Sequence, residues 1–137
     1  MKVLYQGLFA QRSKRNPTVV VDFDGTIAAD AFPSIGDPEP GVREALGSLR
    51  DAGFEIVVYS CRLNRGDGRP LGEVEKHHAM MVDWLRENAI PYDKIDMGYD
   101  GKPRADFYVD NKAMHYGGGD DWERIAGNIL SSPRGER

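Results

Sequence analysis

The stretch Thr18-Val-Val-Val-Asp-Phe-Asp-Gly-Thr-Ile27 decides how the rest of this chain is interpreted. It begins with four β-branched residues in succession, a pattern typical of a fully buried strand in a parallel sheet. Two carboxylates, Asp22 and Asp24, follow the strand, and Gly25-Thr26 then turn the chain away. Because charges at the end of a buried strand need a partner, this pattern predicts that a cation or a phosphorylated group binds there.

Length and composition predict one globular domain. The 137 residues are 40% hydrophobic and 29% charged, which is ordinary for a soluble protein. This length suffices to bury a hydrophobic core. Within the single domain 1–137, we expect residues 1–17 to form an N-terminal arm and residues 131–137 to form a flexible tail.

Charge and cysteine content narrow the classes of partner and compartment. The formal net charge of −4 disfavours a dedicated nucleic-acid binder, so nucleic acid is expected only as a substrate. Cys61 is the single cysteine, which excludes an intramolecular disulfide and favours a reducing compartment. No apolar run approaches about 18 residues, and the basic N-terminal residues follow the apolar ones. We therefore expect a cytoplasmic protein with no membrane partner.

Strands and helices are predicted to alternate after the opening strand. Residues 28–41 contain three prolines and two glycines and are interpreted as a loop. The pattern then predicts an amphipathic helix that begins near Pro40 and ends before Gly53, a strand Phe54–Tyr59, a helix from about Glu73 to Asn88, a short strand Lys94–Met97, a strand Asp106–Asp110 and a helix from about Asp120 to Leu130.

This order of elements predicts a three-layer α/β/α, Rossmann-like parallel sheet. Parallel strands are joined by right-handed crossovers, and ligands bind beyond their carboxyl ends where the strand order reverses. Asp22, Ser60 and Asp110 each lie at the carboxyl end of a predicted strand. We therefore expect the first strand to be central and these three side chains to lie at one edge of the sheet.

Four short motifs in this order resemble those of a known family. Asp-Phe-Asp-Gly-Thr after a hydrophobic strand resembles motif I of the haloacid dehalogenase (HAD) superfamily of phosphotransferases and phosphohydrolases. Ser60 resembles motif II, Lys102 in Gly-Lys-Pro-Arg-Ala-Asp resembles motif III, and Asp110-Asn111 resembles motif IV. The resemblance covers most of the chain, from about Val19 to Met114.

The resemblance implies a Mg²⁺-dependent phosphomonoester hydrolase that forms an aspartyl-phosphate. Asp22 would attack phosphorus, and Asp24 would protonate the leaving oxygen and later activate water. Ser60 and Lys102 would bind the phosphoryl group and offset its charge. Mg²⁺ would be held by Asp22, by Asp24 through its backbone carbonyl, and by Asp110.

The resemblance also places substrate contacts in the turn after Asp22 and in the segments around motifs II and III. Without a cap domain, an open site should accept a small phosphorylated substrate or an exposed phosphate on a larger molecule. The arginines of the loop 62–70 either bind a second anionic group of the substrate or belong to a solvated basic loop, and both interpretations stay open. The expected substrate-binding residues are Gly25, Thr26, Ser60, Cys61, Arg62 and Lys102, with Arg65 and Arg69 as further candidates.

Other polar residues near the motifs receive structural interpretations. Asp106 begins its strand, ~13 Å from the carboxyl end, so we expect it to lie away from the site. Asn111 stands where many relatives have a second acid, which lowers the expected metal affinity. His77 and His78 point about 100° apart on a helix and are interpreted as helix surface. Cys61 is expected to be a buried strand-end thiol with no activating base.

Two other functions stay open at this point. The segment around motifs II to IV also resembles, more distantly, the phosphatase half of polynucleotide kinase-phosphatases, which makes a polynucleotide-end phosphatase one alternative. A non-catalytic phospholigand-binding or scaffold protein on the same fold is the alternative from another class. The presence of Asp24 argues against it, because a binding protein has no evident need for a proton carrier. The sequence indicates neither the substrate nor the oligomeric state.

Overall fold

The structure is a computed structural model that describes residues 16–66 and 68–133. In chain order its elements are β1 (Thr18–Asp22), β2 (Ala28–Ala31), β3 (Ser34–Pro38), α1 (Val42–Asp51), β4 (Glu55–Tyr59), a 3₁₀ turn (Cys61–Leu63), α2 (Leu71–Glu87), β5 (Lys94–Ile95), β6 (Phe107–Val109) and α3 (Asp121–Leu130).

β1 is a central strand of a four-stranded parallel sheet with the order β5-β4-β1-β6. Asp22 lies opposite Tyr59 in the pairing with β4, and Val21 lies opposite Val109 in the pairing with β6. These three strands therefore end at the same edge of the sheet. The α/β fold predicted from the sequence is confirmed, since a parallel sheet with three helices is consistent with a Rossmann-like fold.

The main hydrophobic core lies on one face of this sheet. Val19, Val21 and Phe23 share that face because alternate residues of a strand point the same way. Val20 and Val57 point to the opposite face and are buried as well. Burial on both faces explains why β1 and β4 are apolar along almost their whole length. The core cluster also takes in residues of β4, α1 and α2, among them Ile56, Val58, Leu46, Val74, Met81 and Leu85.

The prediction of a loop is wrong for residues 28–38, which form an antiparallel hairpin of β2 and β3. Gly36 permits the close pairing, because a Cβ at this position would lie 2.4 Å from the carbonyl oxygen of Ala29. Trp84 Nε1 donates to the Gly36 carbonyl at 3.0 Å and ties the hairpin to α2. Prolines and glycines hide the strand pattern in the sequence. Residues 23–41 thus hold a hairpin and no inserted domain.

The boundaries of the other predicted elements fall within two residues of those observed. β5 is shorter than expected because the Asp96 carboxylate accepts a hydrogen bond from the Gly98 amide (3.1 Å) and turns the chain. Most of the expected arm and tail, residues 1–15 and 134–137, lies outside the described residues. Within the described part of the chain, no helix has both the length and the apolar character that crossing a membrane requires.

Candidate active site

A pocket of about 160 Å³ lies beside the ends of β1, β4 and β6. Three residues singled out from the sequence, Asp22, Lys102 and Asp110, line this pocket. The pocket therefore brings together the expected nucleophile, the expected catalytic lysine and an expected metal ligand. The other described residues of the wall are Val20, Tyr59, Tyr108, Val109 and Ala113.

Asp22 lies in an unfavourable electrostatic environment for a carboxylate. Its pKa is raised from the ordinary value of 3.8 to about 6, first by burial and then by the charge of Asp110. Asp24 adds further repulsion, whereas a hydrogen bond from the Phe23 backbone and the charge of Lys112 act in the opposite direction. Carboxylates that repel one another in this way are stabilised by a bound cation.

We expect Asp22→Asn to stabilise the metal-free protein at pH 8 and to change its stability little at pH 4. Between the unfolded pKa of 3.8 and the folded pKa of about 6, the native state binds more protons than the unfolded state. Stability therefore falls as the pH rises through this window. After allowance for solvent screening, removing the charge is worth on the order of 1–2 kcal/mol, or a few degrees in Tm.

Thermal unfolding followed by circular dichroism in EDTA at the two pH values measures this difference. Mg²⁺ at saturating concentration should reduce the Tm difference between Asp22→Asn and the wild type at pH 8, because a bound cation offsets the repulsion between Asp22 and the neighbouring carboxylates. Asp51→Asn, an exposed acid at the end of α1, is the control and should match the wild type at both pH values. Equal Tm values for wild type and Asp22→Asn at pH 8 contradict the expectation.

Asp110 lies at the pocket and Asp106 does not, as the strand direction predicted. The exposed Asp110 accepts a hydrogen bond at Oδ1 from the Lys112 amide (2.7 Å). Asp106 lies at the other end of β6, where its carboxylate accepts from the Thr18 amide at 2.8 Å and its own amide donates to the Thr18 carbonyl at 2.9 Å. Asp106 therefore anchors the beginning of β1.

Tyr108 holds the loop that carries Lys102. The Lys102 Nζ lies 4.1 Å from the centroid of the Tyr108 ring, within the range of a cation–π contact. The Tyr108 hydroxyl donates to the Pro103 carbonyl at 2.5 Å. These two contacts fix the loop against β6 and so keep an otherwise exposed lysine at the pocket that contains Asp22.

Lys112 is a second cation near the site, and the sequence interpretation did not single it out. Its positive charge lowers the pKa of Asp22. Tyr59 and Tyr108 were missed as well, although both line the pocket. The sequence positions of these residues could have indicated that they lie at the site. Lys112 follows the strand-end acid Asp110 by two residues, and Tyr59 ends the strand beside β1.

The carboxylate of Asp24 is bound by Arg62. The Nε and Nη2 groups of Arg62 donate to its two oxygens at 2.7 and 2.8 Å. The Arg62 side chain is 0% exposed, so the reading of this arginine as part of a solvated loop is wrong. A direct substrate contact, the other expectation, requires that the side chain leave this ion pair. The rings of Phe23 and Phe32 cover the guanidinium and exclude water from it.

The other arginines of this loop also bind the protein's own groups. Arg65 Nε donates to the Met97 carbonyl at 2.9 Å, and its guanidinium carbon lies 4.1 Å from the Tyr99 ring centroid. Arg69 donates to two carbonyl oxygens of the 3₁₀ turn at 2.7 and 3.1 Å. The three arginines therefore hold the loop in its fold, which the sequence pattern did not indicate.

Cys61 and His77 differ from the predictions in their burial, and Ser60 has a structural role in addition to its predicted one. Ser60 is buried, and its Oγ accepts from the Arg62 amide (3.1 Å), which caps the 3₁₀ turn and leaves the hydroxyl proton for another acceptor. Cys61 is exposed, not buried, because the turn interrupts the alternation of β4 at this residue. His77 is buried, not on the helix surface, because it stacks on Phe32 with ring centroids 5.6 Å apart.

The turn after Asp24 packs against the side chain of Asn111. Gly25 has a φ of +86°, and a Cβ there would lie 2.5 Å from Asn111 Nδ2, so both the backbone and the neighbour require glycine. Thr26 Oγ1 is buried without a hydrogen-bond partner, and within the described residues it is the one side-chain atom of this kind. An unpaired buried hydroxyl is a group that a ligand or a water can satisfy.

The donor set of the pocket fits Mg²⁺ better than a metal held by many side chains. Within residues 16–66 and 68–133, no group of three or more His, Cys, Asp or Glu side chains is arranged to hold a metal ion. Asp22 and Asp110 line the pocket, while the Asp24 carboxylate is bound to Arg62. Mg²⁺ commonly uses one or two carboxylates and completes its shell with water and phosphate oxygens. The two carboxylates of Asp22 and Asp110 suit that preference.

Solved structures of two bacterial proteins resemble this chain. A conserved protein from Bacteroides thetaiotaomicron is 24% identical, and the match covers 84% of this chain and 90% of that one with a TM-score of 0.53. A target protein from Vibrio cholerae is 29% identical over 72% of this chain and 82% of that one, with a TM-score of 0.48. No protein-family model and no curated protein matches the chain. The first likeness supports the fold alone, and the second is too loose to support an argument.

Proposed function

We propose that this protein is a Mg²⁺-dependent phosphomonoester hydrolase of the haloacid dehalogenase type, which works through an aspartyl-phosphate at Asp22. The observation that carries the proposal is the pocket shared by Asp22, Lys102 and Asp110 at the carboxyl ends of the strands. The raised pKa of Asp22 supports it, because a carboxylate crowded by other acids favours a cation. A phosphate monoester carries two negative charges and needs such neutralisation before a carboxylate can approach phosphorus.

Each side chain has a defined role in this mechanism. Asp22 attacks phosphorus, the bond from phosphorus to the leaving oxygen breaks, and that oxygen takes a proton from Asp24. Water activated by Asp24 then attacks the aspartyl-phosphate, which releases inorganic phosphate and restores Asp22. Lys102 offsets charge on the phosphoryl group, and Ser60 donates its hydroxyl proton to a phosphate oxygen. Asp22, Asp110 and the backbone carbonyl of Asp24 would hold Mg²⁺, which would supply charge neutralisation when bound.

The substrate class follows from the access to the pocket. Residues 23–41 contribute a hairpin and no inserted domain, so a bulky substrate can approach. We propose a small phosphorylated molecule or an exposed phosphate on a larger one as the substrate. A polynucleotide end belongs to the second group, and the net charge of −4 limits its binding to local contacts.

A phospholigand-binding or scaffold protein is the second candidate, and the ion pair between Asp24 and Arg62 is the observation that favours it. Both carboxylate oxygens of Asp24, the proposed proton carrier, accept hydrogen bonds from Arg62. A binding protein needs cations to hold a phosphate but no proton transfer. Turnover separates the two candidates.

We expect hydrolysis of p-nitrophenyl phosphate in the presence of Mg²⁺ and a loss of at least about 100-fold in kcat/KM when EDTA removes the metal. Re-addition of Mg²⁺ to the same sample controls for unfolding and should restore the rate. A panel of sugar phosphates, nucleotides and 3′- or 5′-phosphorylated oligonucleotides then ranks the substrate classes by kcat/KM. Turnover that does not depend on metal contradicts the mechanism, and phosphate binding without turnover on the whole panel favours the binding protein.

A further inference from the structure

We propose that Arg62 is a positioning residue that aims the carboxylate of Asp24 at the leaving oxygen, an inference that rests on the proposed phosphatase activity. The sequence placed Arg62 among the substrate contacts. Its hydrogen bonds and its complete burial instead assign it to Asp24. The substrate would then meet the acid, and the arginine would act through that acid.

All the N–H groups of the Arg62 guanidinium have acceptors. Nε and one proton of Nη2 bind the two oxygens of Asp24, and the other proton of Nη2 binds the Ser34 carbonyl at 2.6 Å. Nη1 donates to the Pro33 carbonyl at 2.8 Å and faces His77 Nδ1 at 3.3 Å. An arginine has about five such donors in a planar fork. Because each has a partner, the guanidinium is held in one orientation.

This fork fixes both the place and the rotation of the Asp24 carboxylate. Two parallel N–H···O bonds hold a carboxylate in the plane of the guanidinium. Each oxygen keeps a further lone pair that the fork does not use. The Asp24 side chain is 16% exposed, whereas Arg62 is fully buried, so the accessible edge of the carboxylate lies away from the arginine. That edge is where a proton for the leaving oxygen can be carried.

The surroundings of Arg62 hold the fork in place. The guanidinium carbon lies 4.9 Å from the Phe32 ring centroid and 6.0 Å from that of Phe23. Arginine nitrogens only donate, so His77 accepts at Nδ1 and carries its ring proton at Nε2. Through these contacts Arg62 connects Asp24 to the β2–β3 hairpin and to α2, two elements that pack independently of the substrate.

An arginine with this role affects proton transfer and leaves phosphate binding unchanged. An alkyl phosphate releases a strongly basic alkoxide, which needs the proton from Asp24. p-Nitrophenolate is a stable anion and leaves without that proton. Loss of the fork should therefore lower kcat/KM selectively for alkyl phosphates, because kcat/KM reports phosphoryl transfer to Asp22, whereas kcat also includes the hydrolysis of the aspartyl-phosphate that Asp24 assists for both substrates. An arginine that merely supports the fold would affect both substrates alike.

The test compares glycerol phosphate with p-nitrophenyl phosphate in Arg62→Lys, which keeps the charge and loses the fork. We expect kcat/KM to fall about 100-fold for the alkyl substrate and less than about threefold for the aryl substrate. Arg43→Lys replaces an arginine that binds the Asn88 carbonyl, and it should keep the wild-type ratio of the kcat/KM values for the alkyl and aryl substrates. In an Asp24→Asn background, adding Arg62→Lys should cause no further loss on the alkyl substrate.

Equal losses on the two substrates, or an additional loss in the Asp24→Asn background, overturn the positioning role and leave the phosphatase in place. Absence of turnover by the wild type on both substrates overturns the proposed function and this inference with it. If Arg62→Lys lacks the far-UV circular dichroism of the wild type, Phe32→Leu takes its place, since it removes the ring over the guanidinium and keeps the hydrogen bonds. The same selectivity is then expected at about tenfold, and an unchanged ratio of rates overturns the proposal.

Discussion

Asp22→Asn is expected to lower kcat for phosphomonoester hydrolysis by about 10³-fold or more, because an amide cannot form an aspartyl-phosphate. The substitution also removes one of the two carboxylates that line the pocket. The same variant is expected to be more stable than the wild type at pH 8, since the charge of Asp22 is unfavourable there. A more stable protein that has lost its activity cannot be explained by unfolding.

Steady-state kinetics with p-nitrophenyl phosphate and saturating Mg²⁺ measure this loss. Asp51→Asn makes the same chemical change on an exposed face of α1 and should retain the wild-type kcat. If Asp22→Asn keeps more than about a tenth of the wild-type kcat, Asp22 is not the nucleophile.

Lys102→Met is expected to lower kcat about 100-fold, which is the typical cost of removing one charged group that stabilises a transition state. Methionine keeps the length and the apolar stem of lysine, so contact with the Tyr108 ring is retained while the charge is lost. The loop should therefore stay in place, and the Tm should remain close to that of the wild type. The rate on p-nitrophenyl phosphate and the Tm are both measured.

Lys112→Met separates the roles of the two lysines at the site. The charge of Lys112 lowers the pKa of Asp22, so its loss should shift the acidic limb of the pH profile of kcat/KM to higher pH. We expect its effect on kcat at the optimal pH to stay below about tenfold. Lys76→Met, on an exposed position of α2, is the control with no expected change. A larger loss for Lys112→Met than for Lys102→Met would assign the catalytic cation to Lys112.

The sequence predicted the parallel sheet well because its signals are local and strong. Both β1 and β4 are apolar on consecutive positions, and such strands need cover on both faces. The same reasoning distinguished Asp110 from Asp106, because a strand has a direction and only its carboxyl end faces the site. The co-location of Asp22 with Asp110 also follows from strand ends that share one edge, whereas Lys102 lies in a loop whose position the strand pattern does not determine.

The partners of Asp24 could not be predicted in the same way. Asp24 and Arg62 are 38 positions apart, and neither residue type indicates which other side chain it will meet. His77 is buried by its contacts with the arginine of this ion pair and with Phe32. This burial could not be predicted, because the hairpin that carries Phe32 has no clear strand pattern in the sequence. Long-range contacts between loops leave no periodic signal in a sequence. Contacts of this kind determine which groups surround the carboxylate of Asp24, the predicted proton carrier.

The central claim is that the reaction passes through a covalent phosphate on Asp22, and acid quenching during turnover tests it most directly. The protein is mixed with ³²P-labelled p-nitrophenyl phosphate and Mg²⁺, quenched in acid and digested. We expect a hydroxylamine-sensitive label on the peptide that contains Asp22, more label in Asp24→Asn, and none in Asp22→Asn. Turnover without a labelled peptide, or a label on Ser60 or Cys61, would contradict it.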